Sequence, residues 1–448
     1  MVFSSESRLL RYRVPQLGIL YLLFLILSGC ATYSQGFKEV EVKMRDAKYS
    51  EALTLLEKQM DSDRDRVLFL MNRGMIMRMM GDYEASNQSL EEAKKISVQL
   101  EAVSVSEQAG ALTINDSMRA YVGDSYELMY LHIYKALNYI DLKDFDSARI
   151  EMLQLDVRLK ELKDEDVNDN AFARYLSGMV YEALDEQDNA MISYRHAYEV
   201  YKKKEKYTTT LPVILKRDLL RMSKKLGFNN EYEKYKNEFG DGLANATSSR
   251  SKDEGELVVL IHGGMVPVKQ EESLNTQSPQ GILVRIALPY YNPRLRALNK
   301  VKADVDGGSY TGEKITDLQK VAMYTLQKDM GGITARAIAR AVIKYNSSKK
   351  VGKQNELAGL ALNITNFVNE RADTRSWSTL PQDIYLMRIP LKEGVYDVDL
   401  LINDDRNTKQ TLLNTPIERK QLTFKSMHWV GPIELTKPKD KNSRNRNR

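Results

Sequence analysis

The sequence predicts an α-helical solenoid of stacked helix pairs followed by a mixed α+β domain, and three observations carry that prediction. Residues 37–240 are helical in pattern and poor in proline, and small and aromatic residues return within them in one register. A stretch of small and polar residues without periodicity, 241–254, then interrupts the pattern. Beyond it, β-branched runs mix with helical segments over 255–436. At 448 residues, with 42% hydrophobic and 28% charged, the chain is long enough for two or more domains and ordinary in composition for one that buries cores.

The first 29 residues read as a signal peptide. Arg8, Arg11 and Arg13 precede the apolar run Leu17 to Leu27, which at 11 residues is about half of the ~20 a helix needs to cross a bilayer. The run ends in Leu27-Ser28-Gly29-Cys30, which resembles the lipobox of bacterial lipoproteins. Lipidation there needs a thiolate nucleophile, and Cys30 is the one cysteine in the chain. No internal disulfide can form, and acylation leaves no stray thiol in an oxidising compartment. Residues 30–36 are then a lipidated tether. Ala31 stands where Asp is associated with inner-membrane retention, so the resemblance implies the outer membrane, periplasmic face. The covalent lipid is the expected non-protein group; no other cofactor is expected.

Within 37–240 the register is clearest in Gly74-x8-Tyr83-x2-Ser86-x6-Ala93. It returns as Ala136-x8-Phe145-x2-Ala148 and Gly178-x8-Gln187-x2-Ala190-x6-Ala197, with a degenerate first copy at Val40-x8-Tyr49-x2-Ala52. These units resemble tetratricopeptide repeats, in which small residues stand where two helices touch and an aromatic stands at the turn. Tyr49 and Tyr83 are 34 residues apart; the longer later spacings require insertions, the largest about 97–127. The resemblance places Arg78, Tyr130 and Tyr175 on the concave surface, a candidate groove for a protein segment. The alternative is that these side chains are covered by the insertion or by the second domain.

After the stretch 241–254, read as a linker, Glu256 to Ile261 and Gly281 to Leu288 have strand character. Helical segments are predicted near 315–327, 333–345 and 356–370, and strands resume at 384–389, 396–402 and near 421–424. The formal charge of +5 resides in the tail 437–448, which carries six basic residues and one acid and is expected to be disordered. The rest is balanced, which together with export argues against a nucleic-acid partner.

Catalytic signals are incomplete. Strand residues running into His262-Gly263-Gly264 resemble the oxyanion loop of lipases, but no Gly-x-Ser-x-Gly nucleophile elbow follows. His262 is therefore expected in a loop. A serine hydrolase is the least favoured of three functional readings, and no catalytic residue is assigned. The histidines 132, 196, 262 and 428 have neither helical i+4 partners nor a cysteine for a metal site. Arg336, Arg340 and Lys344 recur every four residues on one helical stripe, and Arg375 lies near Trp377. These five are candidate contacts for an anionic envelope or cell-wall polymer. The alternative is that the stripe is paired with acids or simply solvated.

Asn115-Asp116-Ser117, Tyr121-Val122-Gly123, Lys135-Ala136-Leu137-Asn138-Tyr139, Ala335 to Tyr345 and Ala372 to Trp377 with Leu380-Pro381 together resemble an uncharacterised family of bacterial envelope lipoproteins. The resemblance implies a tetratricopeptide-like half joined to a mixed α/β half, and no established activity. The expectation is a non-enzymatic scaffold or assembly factor for an envelope protein partner, with the anionic-polymer binder as the alternative.

Overall fold

The computed structural model describes residues 33–59, 62–106, 116–161, 170–203, 209–248, 253–295, 298–403 and 408–431. The predicted signal peptide, Cys30, residues 31–32 of the predicted tether and the basic tail lie outside the described residues.

Ten helices form five antiparallel pairs: α1 (Tyr33–Arg45) with α2 (Tyr49–Gln59), α3 (Arg66–Met79) with α4 (Tyr83–Ser106), and α5 (Ser125–Asp141) with α6 (Phe145–Glu161). The last two are α7 (Ala171–Ala183) with α8 (Gln187–Lys203), and α9 (Val213–Lys225) with α10 (Asn229–Phe239). Every first helix ends in the same way. Ala47, Gly81, Lys143, Asp185 and Gly227 each take a positive φ, between 56° and 83°. The next residue's N–H reaches back five residues: Lys48 to Lys43 O, Asp82 to Met77 O, Asp144 to Tyr139 O, Glu186 to Tyr181 O and Phe228 to Ser223 O, at 2.8–3.0 Å. These are Schellman caps, which satisfy the orphan carbonyls of a helix end and reverse the chain.

The small residues of the repeat register sit at the closest helix approaches. A Cβ on Gly74 would lie 2.8 Å from Leu90, and one on Gly178 only 2.3 Å from the Tyr194 ring. Ala136, Ala148 and Ala190 are buried. The α9–α10 pair extends the stack by a unit that the sequence register did not include.

The stretch 241–254 is not the irregular linker expected. It contains a helix, α11 (Asp241–Ser248), and the first strand begins at Glu254. Ala244 buries against the core below, which selects the helix despite the polar composition.

Among the described residues the second half carries ten strands and two helices. β1 (Glu254–Gly263) is central in a sheet of order β10-β1-β7-β6, with β6 at Glu313–Asp317, β7 at Asp383–Lys392 and β10 at Leu422–Trp429. β1 pairs parallel with β10 and antiparallel with β7. A second, antiparallel sheet has the order β5-β4-β8-β9, with β4 at Lys300–Val305, β5 at Gly308–Thr311, β8 at Gly394–Asn403 and β9 at Thr408–Ile417. β2 (Lys269–Gln277) and β3 (Leu283–Tyr291) form a separate ribbon. The half is therefore α+β, with one parallel strand pair.

β1 shows why it reads as a continuous apolar run. Successive side chains of a strand point to opposite faces. Val258 and Leu260 enter the core shared with the helical half, whereas Leu257, Val259 and Ile261 pack against Val301, Val398 and Leu400 of the second sheet. The molecule is thus layered as helices, first sheet, second sheet, and both faces of β1 are covered. One apolar core runs across the two halves, joining Tyr130, Tyr134 and Tyr175 to Val258, Trp377 and Ile384.

The segments predicted near 315–327 and 333–345 are one helix, α12 (Leu318–Gln354), running unbroken through Gly331-Gly332; residues 315–317 belong to β6. Its N-terminus is capped by Asp317, whose Oδ1 accepts from Lys320 N–H at 2.9 Å. Asn355 likewise caps α13 (Glu356–Val368), accepting from Ala358 N–H at 3.0 Å. The two helices fold back on each other where Gly359 meets the backbone of Gly352.

Candidate functional site

The concave face of the helical stack is filled by the chain's own first sheet. Arg78 of α3 donates to Ser426 Oγ at 2.8 Å and to His428 Nε2 at 3.1 Å, both on β10, and pairs with Asp141 at 2.8 Å. Tyr130 Oη lies 3.2 Å from Thr316 Oγ1 of β6. Tyr175 donates to Asp218 Oδ2 at 2.6 Å, and Arg388 of β7 donates to the same oxygen at 2.7 Å. Arg78, Tyr130 and Tyr175 are all buried, so none is a groove position open to a partner. β1, β7 and β10 present apolar and hydrogen-bonding side chains that complete this face from within the chain.

Arg388 is the centre of the seam. Besides Asp218 it reaches Glu182 at 3.1 Å and also Glu256, while Arg221 pairs with Glu182 at 2.7 Å and Asp218 at 3.0 Å. Tyr194 donates to Glu182 at 2.6 Å and accepts from Arg388 at 3.2 Å. Burial opposes ionisation of Glu182, yet the charges of Arg221 and Arg388 outweigh it and hold the carboxyl well below its usual range.

His262 and His428 face the same seam. Their rings stack at 4.4 Å between centroids, on directly paired residues of β1 and β10. His262 is a buried strand residue, not the loop residue expected. Its Nε2 lies 3.1 Å from Ser426 Oγ, a serine–histidine contact of the kind hydrolases use. Burial, and then the charge of Arg78, pushes His262 well below the usual histidine range. It is a poor proton acceptor at neutral pH, and its Nδ1 faces Tyr134 Oη at 3.1 Å in place of a carboxylate.

The candidate anion contacts fall apart into separate environments. Arg340 pairs with Glu370 at 3.2 Å, and Lys344 pairs with the same carboxylate. Arg375 binds Asp373 at 2.7 Å and Asp65 at 2.9 Å, and donates to Arg119 O at 2.8 Å, pinning its loop to the helical half. Trp377 is fully buried, and its backbone N–H donates to Glu127 Oε1 at 2.7 Å. A cavity of about 420 Å³ does receive Arg336 and Arg340, together with Lys269, Asp124, Asp329 and Asp373, but not Lys344, Arg375 or Trp377. The five residues therefore do not form one cationic cleft. Within the cavity Lys269 pairs with Asp124 at 2.7 Å. Behind it Glu127, pushed up to about 7 by burial and by the charge of Asp124, accepts from Tyr121 Oη at 2.5 Å and from the Asp124 N–H at 3.1 Å. Three donors, the Trp377 and Asp124 N–H groups and the Tyr121 hydroxyl, thus meet on Glu127 and lock the entry of α5 to the Trp377 loop, which is a structural use of the carboxyl.

A different opening lies on the outside of the stack. A groove of about 490 Å³ runs between α4, α5 and α6, floored by Leu128 and Leu131 and edged by Val98 and Val157, which are 57% and 55% exposed. Lys94, Lys95, Glu101 and Arg158 border it. The repeat register does not reveal it, because Val98 lies within the predicted insertion. Continuation of α4 past the usual repeat length, to Ser106, is what creates this wall.

Among the described residues no group of histidine, cysteine or carboxylate side chains could hold a metal ion, and no helix is long and apolar enough to cross a membrane.

No protein-family model matches the chain, and no curated protein does. Among solved structures, MamA is similar at 14% identity over 47% of this chain and 94% of its own, with a TM-score of 0.31. The apo form of RapI is similar at 15% identity over 51% of this chain and 58% of its own, with a TM-score of 0.37. MamA from Desulfovibrio magneticus RS-1, residues 41 to the end, gives 12% identity, 49% and 100% coverage, and a TM-score of 0.31. Superpositions this loose carry no conclusion about function, and the repeat architecture rests on the caps and helix contacts above.

Proposed function

We propose that this chain is an outer-membrane lipoprotein, acylated at Cys30 and facing the periplasm, that serves as a non-enzymatic platform for a protein partner in the cell envelope. The observation that carries the partner reading is the location of accessible apolar surface. The concave face is closed by the chain's own sheet, whereas the α4–α6 groove exposes Val98 and Val157 above an apolar floor. An apolar groove between helices, with charged rims, suits an amphipathic helix or extended segment. Leucine and valine anchors supply the affinity, and Lys94, Glu101 and Arg158 supply orientation.

Arg340 and Arg375 are buried and paired with carboxylates, and the half-buried Lys344 shares Glu370 with Arg340, which supports this reading over binding of an anionic polymer. A photo-crosslinking residue at position 157, expressed in cells, should capture one discrete envelope protein, and Val98→Asp should abolish the adduct. Absence of any discrete adduct from positions 98 and 157 would remove the groove as the partner site.

A further inference from the structure

The α12–α13 arm exposes an apolar surface that the platform reading does not use. From Gly331 to Gln354, α12 extends about 35 Å beside α13, and this arm rests on the β2–β3 ribbon. Its outer surface carries Leu357, Leu360 and Ile364 at helical i, i+3, i+7 spacing, exposed by 78%, 56% and 39%. Ile338 and Val342, one turn apart on α12, are also exposed. Contiguous exposed leucine and isoleucine on a projecting helical hairpin is unusual for a monomeric surface.

The charge at the tip selects the occupant. Lys349, Lys350 and Lys353 close α12 immediately before the exposed leucines, with Glu356 the one acid in the sequence between Lys344 and Glu370. All three lysines are exposed, and Lys349 also lies over the Tyr345 ring at 5.7 Å. Apolar side chains flanked by lysines match the interface of an anionic bilayer, with leucines among the acyl chains and ammonium groups at the phosphates. A second copy docking tip to tip would bring three lysines against three.

We propose that the tip of the α12–α13 hairpin is a peripheral membrane-contact site for an anionic lipid surface. It would act beside the acyl anchor and fix the orientation of the platform on the bilayer; it rests on the proposed anchoring only for its proximity to a membrane. Nothing in it depends on the α4–α6 groove.

The test uses the chain from residue 31 onward, which keeps every described residue and lacks the acylated cysteine, so that failure of the anchor cannot mask or mimic the result. With vesicles containing 30% phosphatidylglycerol the protein should float, and it should not float with pure phosphatidylcholine or at 0.5 M salt, where exposed charges are screened. Leu357→Ser with Leu360→Ser, and separately Lys349→Glu with Lys350→Glu and Lys353→Glu, should each reduce bound protein about tenfold. Both sets alter exposed side chains, and unchanged far-UV circular dichroism checks their fold. Leu360→Trp should be quenched by brominated lipid. Failure to float with anionic vesicles, equal binding by the variants, or concentration-dependent dimerisation through this face without lipid binding would each overturn the proposal.

Discussion

Tyr175 and Arg388 share one carboxylate: the Tyr175 hydroxyl and Arg388 Nη1 both donate to Asp218 Oδ2, at 2.6 and 2.7 Å. Tyr175 belongs to the helical stack and Arg388 to the first sheet, so this oxygen ties the two halves across an apolar core. Asp218, Glu182 and Glu256 are balanced by Arg388 and Arg221 in a cluster that is buried or nearly so.

Removing Arg388 leaves three buried carboxylates facing Arg221 alone. Breaking a buried ion pair from one side costs about 3–5 kcal/mol. Arg388→Ala should lower stability by that amount in urea titrations followed by circular dichroism. A loss below about 1 kcal/mol would mean that the seam does not depend on this cluster.

The His262–His428 stack makes the seam acid-sensitive. Burial is the main cause that holds both rings well below the usual histidine range, with His262 next acting on His428 and Arg78 adding to it for each. An unfolded chain therefore takes up protons below about 6.5 that the folded chain refuses. Their contribution to stability is present above that pH and is lost as pH falls. Glu127 has the opposite sign: its raised pKa contributes stability below about 4.5 that is lost as pH rises through about 7. The two overlap, so the readable quantity is a difference. The stability advantage of the wild type over His428→Gln should shrink as pH drops from 7.5 to 5; a constant or growing advantage contradicts neutral, buried rings.

Gly178 tests the repeat packing. An alanine Cβ would lie 2.3 Å from the Tyr194 ring, whose hydroxyl is held by Glu182 and Arg388, so the ring cannot swing aside freely. Gly178→Ala should cost about 1–3 kcal/mol through overpacking. Gly331→Ala, with nothing within 4 Å, should instead stabilise α12 by up to about 1 kcal/mol through helix propensity. Thermal melts of the two variants should move in opposite directions.

The repeat half was legible because its determinants are local. A small residue, a tight helix end and a following aromatic recur at fixed offsets, and Gly74, Ala136 and Gly178 all lie where helices touch. The fifth pair escaped notice because Gly227-Phe228 carries the turn without the small-x8-aromatic register. The stretch 241–248 is hidden for a related reason: its mostly small and polar composition conceals the packing of Leu243 and Ala244 against the neighbouring helices, which fixes a short helix. What no local pattern encodes is the docking of the sheet into the concave face. The clue available was chemical: Glu256, His262 and Arg388 are polar residues on strands otherwise apolar, and each lies on the side that meets the helices. Arg78, Tyr130 and Tyr175 were placed on the inner face of the stack and do face inward, but toward the chain itself. The basic stripe shows the same limitation, since Glu370, 26 residues beyond Lys344, neutralises it through a helical hairpin that spacing alone does not reveal.

The tethered-platform account stands on Cys30, and metabolic labelling with a palmitate analogue addresses it directly. The account predicts a labelled mature protein that partitions with outer membranes, and complete loss of label in Cys30→Ala. Label persisting in Cys30→Ala, or a wild-type chain that carries none, would contradict it.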